Sequence, residues 1–195
     1  MIFTITGPSG SGKTTLVKEL VRQFPGRYAR IVSTTTREPR QGEVDGRDYH
    51  FISREQFELE RRKGMFIEST EFGGNLYGIR YKDIIGAGIS DNLHVVGVLE
   101  RNGALALQKY FGPMARRVYI SIEERKALRR LARRDGWSKA RKRVKTDKEN
   151  SLFDPSGFDC VLKNDQSKKE LAKNFDNYVI AMEYSFSCRD AEVSA

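Results

Sequence analysis

Gly7-Pro8-Ser9-Gly10-Ser11-Gly12-Lys13-Thr14 fits the phosphate-binding loop pattern G-x-x-x-x-G-K-[ST]. Its flanks suit it: Ile2-Phe3-Thr4-Ile5-Thr6 reads as a short β-strand and Thr15 to Gln23 as an amphipathic helix. In that setting the glycines let the backbone curl, so that successive N–H groups aim at phosphate oxygens at the positive end of the following helix. Lys13 adds a point charge at the β- and γ-phosphates, and the Thr14 hydroxyl is a ligand for Mg²⁺. The loop residues Gly7, Pro8, Ser9, Gly10, Ser11, Gly12, Lys13 and Thr14, with Thr15 beyond them, are therefore candidate ATP-binding residues, and Thr14 the candidate metal ligand.

Outward from the loop, the chain reads as alternating strands and helices. Strands are predicted at Arg30–Ser33, Met65–Glu68, Leu76–Gly78, His94–Leu99, Arg117–Ile120 and Cys160–Leu162. Helices are predicted from the Ser53-Arg54-Glu55-Gln56 capping box to Lys63, then at Tyr81–Ala87, Asn102–Tyr110, Glu123–Arg134, Trp137–Lys148 and Ser167–Tyr184. The continuous apolar run His94–Leu99 has the look of a buried parallel strand. Alternation of this kind implies an α/β fold with a mostly parallel sheet flanked by helices, and ligands at the carboxyl ends of the strands.

At 195 residues the chain is expected to form one unit with inserted parts, large enough to bury a substantial core. No apolar run approaches the roughly 18 residues needed to cross a bilayer. The first strand begins at Ile2 and leaves no room for a leader, so a cytoplasmic protein is expected. Cys160 and Cys188 are too few for a disulfide framework or a zinc site and are expected to be free thiols. The net charge of +9 implies an anionic partner, a polyphosphate or a nucleic acid, without choosing between them. Eleven of residues 125–145 are Lys or Arg, and Asp135 is the only acid there.

The stretch Ser33-Thr34-Thr35-Thr36-Arg37-Glu38-Pro39-Arg40-Gln41-Gly42-Glu43, followed by Gly46 and Asp48-Tyr49-His50-Phe51, resembles the GMP-binding signature of guanylate kinases. The resemblance runs from residue 1 to about residue 180, with the phosphate loop, this signature and Phe66-Ile67-Glu68 in the family's order. It implies a P-loop kinase fold in three parts. These are a core of about 1–32, 81–123 and 151–195, a GMP-binding subdomain of about 33–80, and a helical lid of about 124–150. It also implies the reaction ATP + GMP ⇌ ADP + GDP, with dGMP as a further acceptor and Mg²⁺ as cofactor. By matching position, Arg37, Arg40, Tyr49 and Tyr77 would hold the GMP phosphate, and Ser33 and Glu68 would read the guanine. Arg134 and Arg143 fall near the family's lid arginines, with Arg133 nearly as well placed, and Asn164 near the adenine of ATP. Lys13, Arg37, Arg134 and Arg143 would carry the catalytic charge.

Three departures bear on these roles. The family's paired aspartates are replaced by Val98 and Glu100, and Glu100 is expected to touch the nucleotide or order water around Mg²⁺. Ile79 stands where the family commonly has a hydroxyl residue that helps read the base, and the lid is about two residues short. A kinase for another nucleoside monophosphate, and a catalytically weak binding module of the same fold, therefore stay as alternatives. A nucleic-acid-binding protein is supported by the charge alone, so no specific nucleic acid is expected. The resemblance is compatible with a monomer or a homodimer.

Overall fold

The computed structural model describes residues 1–87 and 93–193. Five strands, β1 (Ile2–Thr6), β2 (Tyr28–Arg30), β7 (His94–Val98), β8 (Ala115–Ser121) and β9 (Cys160–Lys163), form one sheet in the order β2-β7-β1-β8-β9. Every pairing in it is parallel. β1 is central and buried along its whole length, and its pleat sends Phe3 and Ile5 to one face and Ile2 to the other. On the first face these side chains meet Leu16, Val17 and Leu20 of α1 (Lys13–Gln23) and Leu171, Phe175 and Val179 of α7 (Lys168–Val193). On the second they meet Ala104 and Leu107 of α4 (Arg101–Phe111), together with Ile31, Ile79 and Ile84.

A second, four-stranded sheet lies between Thr34 and Arg80, in the order β4-β3-β6-β5, from β3 (Thr34–Thr35), β4 (His50–Phe51), β5 (Phe66–Phe72) and β6 (Asn75–Arg80). α2 (Arg54–Arg62) precedes β5, with the Ser53 hydroxyl accepting the Gln56 N–H, one half of the predicted capping box, while the Gln56 side chain donates to Glu60. β5 and β6 are an antiparallel hairpin closed by Gly73 and Gly74 at φ +59° and +79°, values that favour glycine. α3 (Tyr81–Ile85) leads back to the main sheet.

The remaining pair, α5 (Glu124–Asp135) and α6 (Trp137–Glu149), packs as a helical hairpin around Leu131, Ala140 and Val144. Among the described residues no helix is long and apolar enough to cross a membrane.

Two sequence readings are corrected. The strand predicted at Arg30–Ser33 is divided between the two sheets. The Ile31 N–H still donates to Val96 O, but the Ser33 carbonyl already accepts from the His50 N–H in the second sheet. The closing helix runs past Tyr184 to Val193, because no Gly or Pro interrupts that stretch. The Cys188 thiol lies outside the described side chains.

Candidate active site

The phosphate loop leaves the carboxyl end of central β1 and enters α1 directly. Gly7, Gly10 and Gly12 have φ of +148°, +79° and +95°, in the range where L side chains are strained. Gly12 caps α1 in a left-handed conformation, and among the described residues no side chain bonds to this helix start. The first-turn amides of α1 are thus open to an anion, reinforced by the helix dipole.

The loop is held by groups distant in sequence. Asn164, after β9, donates from Nδ2 to Ser11 O at 2.6 Å. Arg130 of α5 donates to Gly10 O at 3.2 Å and to Asn164 Oδ1 at 3.4 Å. Ser11 itself is buried, with its amide on Pro8 O, so it shapes the loop from beneath and does not line the cleft. Lys13 folds back so that Nζ donates to Gly7 O at 2.5 Å and Pro8 O at 3.1 Å. Burial lowers its pKa, and the carboxylates of Glu100 and Asp147 work in the opposite direction.

A cleft of about 450 Å³ opens over the loop. Gly7, Ser9, Gly10, Gly12, Lys13, Thr14, Thr15 and Asn164 line it on one side. Arg130, Arg134, Arg143 and Asp147 enter from the α5–α6 hairpin, Glu100 and Val98 from the end of β7, and Arg40 and Tyr49 from the second sheet and its loop. Arg134 pairs with its neighbour Asp135 at 2.7 Å, and Arg143 Nε donates to the Ser9 hydroxyl at 2.9 Å.

Arg37 and Tyr77 stand just behind Arg40 and Tyr49. The Arg37 guanidinium lies 5.4 Å from the centre of the Tyr49 ring, and the Tyr49 and Tyr77 rings are 6.3 Å apart. Glu43 orders this corner: it accepts Arg37 Nη2 at 2.8 Å and the Arg40 N–H at 2.8 Å. Burial works against the charge of Glu43, but those donors outweigh it and keep the carboxyl below the usual range. Burial raises the Tyr49 phenol, which therefore stays a hydrogen-bond donor at neutral pH.

Glu68 of β5 is half-buried, and its pKa is pushed up to about 7, first by burial and then by the charge of Glu100. Its carboxylate lies over Gly103 in the first turn of α4. Ser33 is half-buried at the crossing between the sheets and is not part of the cleft lining, nor are Pro8, Arg37, Glu68 and Tyr77. Ile79 is 1% exposed among Ile31, Ile84 and Val95, so its side chain faces the interior.

The hairpin arginines differ from the sequence reading. Arg133, weighed there beside Arg134, is exposed and off the cleft, whereas Arg130 was not singled out and grips the loop. Arg130 and Arg134 are one helical turn apart on α5, so helix periodicity applied to Arg134 was the available signal. Asp147 was missed as well, and it completes a buried stripe with Ala140 and Val144, an acid at a core position.

A glycine-rich loop on the central strand of a parallel sheet, beneath a basic helical hairpin and facing a second sheet rich in Arg and Tyr, defines a P-loop nucleotide kinase. Sequence comparison narrows the class. The guanylate kinase family model matches residues 2–179, and the chain belongs to that family. It is 37% identical over 166 residues to the guanylate kinase of Chlamydia muridarum, covering 84% of this chain and 80% of that one. It is also 37% identical over 169 residues to the guanylate kinase of Synechococcus elongatus, covering 85% and 90%. The fold resembles the crystal structure of guanylate kinase from Anaplasma phagocytophilum, with a TM-score of 0.68 and 24% identity over 93% of this chain and 85% of that one.

Proposed function

We propose that this protein transfers the γ-phosphoryl group of ATP to the phosphate of GMP, and also of dGMP, giving ADP and GDP or dGDP. The observation that carries the reading is the single cleft in which Lys13, Arg130, Arg134 and Arg143 face Arg40 and Tyr49. That arrangement suits two phosphate chains brought end to end. In the transfer, a GMP phosphate oxygen bonds to the γ-phosphorus as its bond to the ADP oxygen breaks. Positioning and charge neutralisation supply nearly all of the acceleration.

On this reading the α1 N-terminus and Lys13 hold the ATP phosphates, and Asn164 and Arg130 keep the loop in shape. Arg134 and Arg143 neutralise charge on the moving group. Residues of about 33–80 form the GMP-binding part and about 124–150 the lid. Arg37, Arg40, Tyr49 and Tyr77 bind the acceptor phosphate, matching guanidinium forks and phenol donors to a dianion. Ser33 and an ionised Glu68 recognise guanine, whose ring N–H and amino group are two adjacent donors that adenine does not offer. A mismatch there leaves a buried carboxylate unpaired, a discrimination on the order of several kcal/mol.

The donors fit Mg²⁺. The Thr14 hydroxyl and the Glu100 carboxylate, both in the cleft, are hard oxygen ligands, and no cluster of three or more His, Cys, Asp or Glu among the described residues could cage a metal. That donor set suits an ion bound largely through the phosphates of ATP, where it would neutralise phosphate charge. A monophosphate kinase of this kind belongs where ATP is made and used, the cytoplasm. ADP formation from ATP and Mg²⁺ should be measured with GMP, dGMP, AMP, UMP, CMP and dTMP supplied separately. Turnover with GMP and dGMP alone is expected. Comparable turnover with AMP overturns the guanine assignment, and silence with all six overturns the kinase reading.

A further inference from the structure

Asp147 is 1% exposed in a helix rich in Lys and Arg, and its carboxylate is turned to the phosphate loop. Oδ2 accepts the backbone N–H of Ser9 at 2.6 Å, and Oδ1 faces the Ser9 hydroxyl at 3.3 Å. One helical turn earlier, Arg143 Nε donates to the same hydroxyl at 2.9 Å. Residues four apart share a helix face, so the two side chains grip Ser9 together. The far side of Asp147 is anchored too. Its carbonyl accepts the Leu152 N–H at 2.8 Å, and the Leu152 carbonyl accepts the Tyr119 hydroxyl of β8 at 2.7 Å. A continuous set of bonds thus runs from the main sheet through α6 to the phosphate loop.

The donor that Asp147 uses is not one of the first-turn amides of α1. Those amides begin at Lys13, whereas Ser9 sits three residues before the Gly12 cap, near the start of the loop. The carboxylate therefore holds the loop without filling the helix end that a phosphate needs.

We propose that Asp147 is a positioning residue that latches α6 onto the phosphate loop through Ser9 and thereby holds Arg143 over the transferring phosphate. The proposal rests on the kinase reading for its catalytic consequence, but the latch itself does not. A buried carboxylate bonded to a backbone N–H is a strong, directional tie. Losing it frees the hairpin, so Arg143 spends less time where charge develops.

The test combines amide exchange at Ser9, followed by NMR without nucleotide, with steady-state kinetics on Asp147→Ala, Asp147→Asn, Arg143→Ala and the double variant Asp147→Ala/Arg143→Ala. Asp147→Ala is expected to speed Ser9 exchange at least about tenfold and to lower kcat roughly tenfold or more, in line with loss of a hydrogen bond to a charged group. Asp147→Asn keeps an oxygen for the Ser9 N–H and should recover most of both. In the Arg143→Ala background, Asp147→Ala should remove little further activity, because the two act as one unit. Asp147→Leu fills the buried volume without an acceptor and serves if the alanine variant does not fold.

Unchanged Ser9 exchange in both Asp147→Ala and Asp147→Leu overturns the latch. So do losses that multiply independently in the double variant, or tighter ATP binding in Asp147→Ala, which would make the carboxylate a competitor of phosphate. Wild-type protein that protects the Ser9 amide yet phosphorylates none of the six monophosphates would leave the latch standing and overturn the kinase reading alone.

Discussion

The carboxylate of Glu68 rests against the bare Cα of Gly103, where a Cβ would fall 2.9 Å from Glu68 Oε1. Gly103 lies inside α4 and has no left-handed φ, so the helix itself does not require glycine there. What makes use of its missing Cβ is the close approach of an acid from the second sheet. A glycine in a helix interior is less stable than alanine by about 0.5–1 kcal/mol. The sequence carries part of that penalty in the first turn of α4, at a point that leaves room for the Glu68 carboxylate.

Gly103→Ala should therefore separate folding from recognition. The flexible Glu68 side chain can swing aside, so the variant is expected to fold with an unchanged or slightly higher Tm. KM for GMP should rise roughly tenfold, the order of one misplaced hydrogen bond to a charged group, while KM for ATP stays near wild type. A variant with native KM for GMP would show that the Glu68–Gly103 contact does not set base recognition.

Glu68 also makes a pH prediction with a definite sign. Its folded-state pKa of about 7 is raised above the usual carboxylate value. The folded chain thus holds a proton that the unfolded chain has released, and stability declines as pH rises through the interval up to 7. Glu68→Gln removes that term. In the absence of nucleotide it should match wild type near pH 4 and exceed it at pH 8, by about 3 kcal/mol at most. On the proposed role of Glu68, GMP binding moves the other way, since guanine's two donors would need the ionised acid. KM for GMP in wild type should fall between pH 6 and 8. The acceptor phosphate also titrates near pH 6, so the diagnostic quantity is the difference from Glu68→Gln, which should lack the part of the profile centred near 7. Parallel profiles for the two proteins would contradict the assignment.

These features were unequally legible in the sequence. The phosphate loop is local: its glycines, Lys13 and Thr14 act through backbone geometry set within eight consecutive positions, Gly7 to Thr14. The helices and most strands follow from short-range periodicity and from glycines such as Gly64 and Gly136. The split between β2 and β3 was not legible, because Ile31 and Ser33 bond to partners in different sheets, Val96 and His50. Arg130 was hard to single out for a related reason, although it lies one helical turn from Arg134, and the role of Asp147 depends on its distant partner Ser9. Eleven basic residues in 125–145 look alike in sequence, and only the packing of the α5–α6 hairpin decides which of them meet Gly10 and Ser9. Glu68 was singled out by position, but its raised pKa depends first on its burial in the fold and then on Glu100, just beyond β7.

The hairpin assignment gives a paired test. Arg130 bonds the Gly10 carbonyl and Asn164, whereas Arg133 on the same helix is exposed and off the cleft. Arg130→Ala should lower kcat/KM for ATP by at least about tenfold, the scale of a lost charged hydrogen bond. Arg133→Ala should stay within about twofold, as a surface substitution worth under 0.5 kcal/mol does. Asn164→Ala should resemble Arg130→Ala, because it frees Ser11 O and removes one Arg130 partner. Equal effects of Arg130→Ala and Arg133→Ala in steady-state assays would return the hairpin to an undifferentiated basic surface.

Lys13 provides the clearest separation of catalysis from stability. The residue as a whole is half-buried, but its ammonium is desolvated, which lowers its pKa, and is held by two loop carbonyls, Gly7 O and Pro8 O. Among the described residues it forms no direct ion pair, and Glu100 and Asp147 act on it only through space. A desolvated charge with such limited compensation adds little to folding, and replacing it with an apolar side chain of similar length is commonly neutral or stabilising. Lys13→Met should thus unfold at the same temperature as wild type or slightly above it. Its turnover should fall by about a hundredfold to a thousandfold, the range for removing one preorganised donor from a developing charge. Calorimetry and an ADP-release assay on the same preparation decide the matter. A variant that loses activity only in proportion to a lowered Tm would assign Lys13 to holding the loop together, and the charge stabilising the transferring phosphate would then have to come from Arg134 and Arg143.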